Sequence, residues 1–132
     1  MQDWNYLTTG DLEITVEVSY DKYPPGRDLE GYWAANRASL YQYVRQAAVL
    51  GVRGQLAPAA EGCAVRAARL GTDLRYVDID HEVSPDRQGR YWRLLAPGRY
   101  RLTASCPQRA NQTAVVDVPL NQAVQVEANF KW

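Results

Sequence analysis

Between residues 52 and 132 the chain breaks into seven short runs of alternating or β-branched residues, and this segmentation limits the fold more than any other feature. The runs are Val52 to Leu56, Cys63 to Leu70, Leu74 to Ile79, Tyr91 to Leu95, Tyr100 to Ala104, Ala114 to Val118 and Val124 to Phe130. Turn formers separate them: Pro58, Glu61-Gly62, Gly71-Thr72-Asp73, Pro85-Asp86, Gln88-Gly89, Pro97-Gly98, Pro107 and Leu120-Asn121. A period of two places one face of each run inward, and such closely spaced turns leave no room for crossover helices. The pattern predicts an antiparallel β-sandwich.

The first 50 residues have a different texture. Leu12, Ile14, Val16 and Val18 alternate with Glu13, Thr15 and Glu17, which predicts a strand. Tyr23-Pro24-Pro25-Gly26 stops it, because proline has no N–H for a ladder and Pro-Gly favours a turn. Leu29, Trp33, Leu40, Val44 and Ala47 then recur at helical spacing, with Asp28 as the expected N-cap and Gly51 as the stop. A lone strand has no partner for its backbone groups, and a helix with one apolar stripe needs something to cover it. The unit looks like a domain cut in half. The strand over 12–18 is expected to be exposed, to re-pair with the sandwich, or to serve in self-association.

Composition excludes several classes. Lys+Arg and Asp+Glu both number 15, which gives no electrostatic reason to expect nucleic acid or an anionic membrane as partner. No apolar run has the length of a membrane span, and the start Met1-Gln2-Asp3-Trp4-Asn5-Tyr6 lacks the basic and apolar parts of a signal peptide. Cys63 and Cys106 allow one disulfide or none. Glu13 and Glu17, four residues apart on a strand, would sit roughly 13 Å from each other, too far for a glycosidase pair. His81 and Glu82 are adjacent and would point to opposite faces of a strand, so they read as structural or surface residues and not as a metal pair. Tyr91, Trp92 and Tyr100 read as sandwich core and rim. Asn111-Gln112-Thr113 fits the glycosylation acceptor pattern.

Four blocks carry a resemblance to a known family. They are Met1-Gln2-Asp3-Trp4-Asn5-Tyr6-Leu7; Leu12 to Val18 followed by Asp21-Lys22-Tyr23-Pro24-Pro25; His81-Glu82-Val83; and Gly89-Arg90-Tyr91-Trp92-Arg93-Leu94-Leu95-Ala96-Pro97-Gly98-Arg99-Tyr100. In this order, over nearly the whole chain, they resemble the N/E-type, regulatory zinc metallocarboxypeptidases, in which a catalytic α/β domain is followed by a transthyretin-like β-sandwich. The fold this implies is mainly β. A strand-turn-helix remnant of the α/β carboxypeptidase domain would fill residues 1–50, and a seven-stranded transthyretin-like sandwich residues 51–132.

The resemblance also implies a function. The parent would be a zinc exopeptidase that releases C-terminal Arg or Lys from peptides and proteins, in the secretory pathway or outside the cell. Glu17 falls at the position of the catalytic glutamate, Gln2 at the floor of the specificity pocket, and Thr15 at a position lining the same pocket. The family's zinc ligands are a His-x-x-Glu pair and a distant His, all N-terminal to this region. This chain has one histidine, His81. A catalytic zinc takes three protein ligands. Zinc is therefore expected in the full-length parent, no metal ligand in this chain, and no hydrolase activity from the chain alone. Relatives commonly carry cysteine where Asp11 and Tyr20 stand, which implies the loss of one disulfide at the ends of the strand. The alternative reading is a non-enzymatic β-sandwich that acts in folding or protein interaction. A His-x-x-Glu motif read in frame upstream of Met1 would separate the two.

Overall fold

The computed structural model describes residues 2–9, 12–120 and 125–132, with the backbone alone for residue 2 and residues 7–9. Helix α1 (Gln2–Thr9) precedes an irregular stretch over 12–18, a 3-10 turn (Gly26–Asp28) and helix α2 (Leu29–Val49). Eight strands follow among the described residues: β1 (Val52–Ala57), β2 (Ala64–Leu70), β3 (Tyr76–Val83), β4 (Arg90–Arg93), β5 (Gly98–Ser105), β6 (Gln112–Val118), β7 (Val126–Glu127) and β8 (Phe130–Lys131). The chain is mainly β, as expected, and the strands form two sheets. One has the order β4-β1-β7 with β8 also on β1, and the other the order β3-β2-β5-β6.

Alternation selects the core. In β1, Val52 and Leu56 are buried while Arg53 and Gln55 face solvent; in β4, Tyr91 and Arg93 are buried while Arg90 and Trp92 face out. The register pairs Val52 with Arg93 and Gly54 with Tyr91, so the inward rows meet across the strands. Leu56, Val65, Tyr91, Tyr100, Leu102 and Phe130 then fill the space between the sheets. Cys63 and Cys106 form a disulfide. They lie one step beyond the Ala64–Ser105 pair that begins the β2–β5 ladder, so the bridge closes that end of the sheet.

Two expectations about the sandwich need correction. It is not wholly antiparallel, because β7 and β8 both run parallel to β1. The predicted seventh strand is also split, and its first residue, Val124, lies outside the described residues. The split has a local cause. The Ala128 N–H still donates to the Arg53 carbonyl, but the Ala128 carbonyl accepts from the buried Tyr91 hydroxyl at 2.6 Å. The Gln55 N–H is met by the Asn129 side-chain oxygen at 2.8 Å instead of a backbone carbonyl. Two side chains take over ladder positions, and the strand resumes at Phe130.

The N-terminal region departs further from expectation. The stretch Leu12 to Val18 is not a strand and has no ladder partner among the described residues. Each of its residues is exposed, with Leu12, Ile14, Val16 and Val18 at 38–48%. A period of two makes a chain competent to be a strand, but a strand forms only where its backbone groups meet those of a sheet edge. Asp28 precedes α2 as predicted, yet it belongs to the 3-10 turn and its side chain makes no capping bond. Helix α2 spans the predicted residues, and Gly51 follows at a φ of 87°, which suits a glycine at the helix exit.

The closest approach in the first sheet is at Gly54, where a Cβ would collide with the Ala128 carbonyl and stand 2.7 Å from the Tyr91 ring. Gly54→Ala should therefore lower unfolding stability by about 3 kcal/mol through overpacking, measured by urea titration. Removing the disulfide as Cys63→Ala/Cys106→Ala frees a loop of 43 residues. The expected loss is about 2–4 kcal/mol in the same assay, with far-UV circular dichroism retained.

Candidate functional site

The three residues to which the resemblance assigns roles all lie before the sandwich. Gln2 is the first residue of α1, and its side chain is outside the described set. Thr15 and Glu17 sit on the irregular stretch and are exposed. Glu17 makes no hydrogen bond or ion pair with any described residue. Asp11 lies outside the described residues, and Tyr20 is fully exposed.

The stretch is held at both ends. Near its start the Asn5 amide donates to Glu13, tying it to α1. Leu12 and Glu13 share a cleft with Tyr43, Val44 and Ala47 of α2 and with Trp92 and Leu94 from the sandwich. Just past its other end, the Ser19 hydroxyl donates to the Tyr32 hydroxyl of α2 at 3.2 Å. The stretch therefore runs alongside α2 in the opposite direction, from Tyr43–Ala47 back towards Tyr32. Its apolar residues remain open to solvent.

A second constellation joins α1 to the sandwich. The Tyr6 ring lies on the His81 ring with centroids 4.8 Å apart. Arg93 is only 1% exposed. It donates through Nη2 to the His81 carbonyl at 3.1 Å and through Nη1 to the Tyr6 hydroxyl at 3.4 Å. Its Nε is buried without a partner among the described residues, as is Nε2 of His81. No described carboxylate pairs with this guanidinium, whereas Arg53, Arg66, Arg90 and Arg99 each pair with an acid at the surface. Burial first, and then the Arg93 charge, hold the His81 imidazole below its ordinary range, while Glu82 pulls weakly the other way. Burial likewise pushes the Tyr91 phenol upward.

Sequence reasoning places His81 and Glu82 on opposite faces of a strand, and the structure agrees: His81 is half-buried and Glu82 exposed on β3. It misses Tyr6 and Arg93. The signal for Arg93 is parity, since it stands two residues after the core residue Tyr91 and so has to point inward. No periodic pattern announces α1.

The zinc that the resemblance implies does not fit the side chains present. Among the described residues, no group of three His, Cys, Asp or Glu side chains is placed to hold a metal ion. Both cysteines are in the disulfide, and His81 is the only histidine of the sequence. No three-ligand zinc site is therefore assembled among the described residues.

No protein-family model matches the chain. Individual proteins do. Carboxypeptidase D of Homo sapiens is 40% identical over 126 residues, 96% of this chain. The carboxypeptidase N catalytic chain of Homo sapiens is 36% identical over 131 residues, 99% of this chain. The chain belongs to the carboxypeptidase D and N family. Carboxypeptidase D of Drosophila melanogaster is also similar, at 34% identity over 119 residues. This stretch of carboxypeptidase sequence spans 9% of the length of human carboxypeptidase D and 27% of the human carboxypeptidase N catalytic chain.

Arg93 allows packing and charge to be separated. Arg93→Ala should cost about 3 kcal/mol, because it empties a buried volume. Arg93→Met keeps most of that volume and removes an unpaired charge, so it should stay within about 1 kcal/mol of the parent. Urea midpoints at constant m-value provide the comparison.

Proposed function

We propose that this chain is the part of a zinc metallocarboxypeptidase that carries the general base and part of the specificity pocket, joined to a transthyretin-like sandwich. Residues 1–50 are the C-terminal segment of the catalytic domain, and residues 51–132 are the sandwich. Glu17 is the general base, and Gln2 and Thr15 belong to the pocket. The parent binds the C-termini of peptides and proteins and releases C-terminal Arg or Lys. The observation that carries this reading is the 40% identity to carboxypeptidase D across 126 residues, which include the stretch with Glu17. The exposure of Glu17 and Thr15 supports it, since a base and a pocket wall must be reachable by substrate.

The parent's zinc would be held by residues outside this chain, and the 132-residue chain alone is inactive. The compartment is the secretory pathway or the extracellular space, supported by the Cys63–Cys106 disulfide, which persists where the surroundings are oxidising. No helix among the described residues is long and apolar enough to cross a membrane. The four exposed apolar residues of 12–18 favour self-association of the isolated chain.

A second reading has one observation in its favour. Every buried core residue among those described lies between Val52 and Phe130, and none belongs to α2. The sandwich thus has a core of its own, as a non-enzymatic folding or interaction module would.

Zinc content and hydrolysis of a peptide ending in arginine separate the readings. The chain alone should hold no stoichiometric zinc and release no arginine. A chimera that places the preceding part of human carboxypeptidase D before this chain should be active. Glu17→Gln should then cut its kcat by about 10²–10⁴-fold. An active chimera indifferent to that substitution would remove Glu17 from the role.

A further inference from the structure

Tyr6, His81 and Arg93 join α1 to the sandwich in one cluster. We propose that it is a proton-operated latch: neutral His81 seats α1 on the sandwich, and proton uptake by His81 releases it.

A neutral imidazole needs only one donor, but an imidazolium has two and requires an acceptor for each. Nε2 of His81 is buried with no hydrogen-bond partner among the described residues, and in the imidazolium it is necessarily a donor with no described acceptor. The groups around the ring add to the cost. From β4, the Arg93 guanidinium is bonded to the carbonyl of His81 itself and presents a like charge. From α1, Tyr6 covers the ring and brings no negative charge, and Asp3, the helix's acid, is exposed. From β2, Arg66 is engaged with Glu82 at 2.8 Å. On β3 itself, Asp78, Asp80 and Glu82 are exposed and line a surface cleft with His81 and Arg66, and of these Glu82 weakly favours the charged ring. No described acid on the buried side compensates a second cation next to Arg93.

The direct relief is to move α1, because Tyr6 is the lid over the ring. Once Tyr6 leaves, water can solvate Nε2. The stretch 12–18 is tied to the same helix through Asn5 and Glu13, so it loosens with α1. The direction follows from linkage. His81 in the closed latch titrates below its ordinary value of about 6.5. Closure is therefore complete above that pH and weakens as the pH falls below it. The loss levels off once the closed form is itself protonated. None of this depends on the carboxypeptidase reading.

The test is an NMR titration of the 132-residue chain from about pH 8 to pH 5, a range that brackets ordinary histidine. Cross-relaxation between the Tyr6 and His81 rings should be present at the alkaline end and absent at the acid end. In Tyr6→Ala, the His81 titration should move upward, towards the ordinary value of about 6.5, with the Arg93 charge still holding it below. In His81→Phe, the Tyr6 ring should stay on the ring at position 81 across the whole range. Should His81→Phe not fold, Tyr6→Ala alone decides, because it alters only the lid. Persistence of the Tyr6–His81 cross-relaxation in the acid form would overturn the latch. So would a His81 titration that ignores the loss of Tyr6. A Tyr6 ring that leaves position 81 at acid pH just as readily in His81→Phe would overturn it too.

Discussion

The sandwich depends on how closely the last segment of the chain approaches β1. Gly54 has no Cβ, and into that space come the Ala128 carbonyl and the edge of the Tyr91 ring, whose hydroxyl donates to that same carbonyl at 2.6 Å. One glycine thus lets three strands meet at a single point. β4 supplies Tyr91, β1 supplies the gap, and the segment between β7 and β8 supplies the acceptor. A buried phenol left without an acceptor would cost on the order of 1–3 kcal/mol. The interruption of the final strand at residues 128–129 is therefore the geometry that satisfies Tyr91 and not a defect in the ladder. It also explains the parallel pairing of β7 and β8 with β1. Both flank the same interruption and share the same neighbour.

Parity on β4 places a charge where a hydrocarbon would be expected. Tyr91 must face inward to reach Ala128, and Arg93, two residues on, follows it into the interior opposite Val52. The guanidinium is accommodated by carbonyl and hydroxyl oxygens, not by a carboxylate. Neutral acceptors satisfy donors without cancelling charge, so the neighbourhood stays electropositive. A histidine in that neighbourhood is disposed to remain neutral, and an aromatic ring is a better cover for it than a polar side chain. The positions of Tyr6 and His81 follow from the presence of Arg93.

Most of the sandwich is legible in the sequence because its rules are local. Alternation marks the buried rows of β1, β4, β5 and β6, and Pro and Gly mark the turns. The helix over Leu29–Val49 is legible through its spacing of Leu29, Trp33, Leu40 and Val44. What cannot be read depends on partners distant in sequence. Whether Leu12–Val18 becomes a strand is decided by pairing with a sheet edge, and β4, the edge strand whose Trp92 shares a cleft with Leu12, makes no ladder with it. The split after Glu127 is decided by a hydroxyl 37 residues away. The reading of Glu17, Gln2 and Thr15 comes from resemblance alone. Their polarity and exposure would otherwise mark them as ordinary surface residues.

The distribution of burial explains how the two parts of the chain can be coupled and yet separable. α2 contributes nothing to the core, and its apolar residues Leu29, Trp33 and Val44 are all more than half exposed. Little hydrophobic free energy therefore fixes residues 1–50 on the sandwich. Among the described residues, attachment includes the Tyr6 contact with His81 and Arg93, the cleft shared by Val44, Trp92 and Leu94, the Gln125 amide on the Leu50 carbonyl, and the covalent turn at Leu50–Gly51. A segment whose described residues bury so little apolar surface is of the kind that opens below the global unfolding free energy. A perturbation of about one or two kcal/mol, negligible inside the sandwich, is enough to change its population. A proton on the half-buried imidazole, disfavoured there by burial and by the Arg93 charge, acts in the direction of release. The sandwich is thus rigid enough to hold His81 and Arg93 in place, and the attached segment is weakly enough bound to respond to their charge.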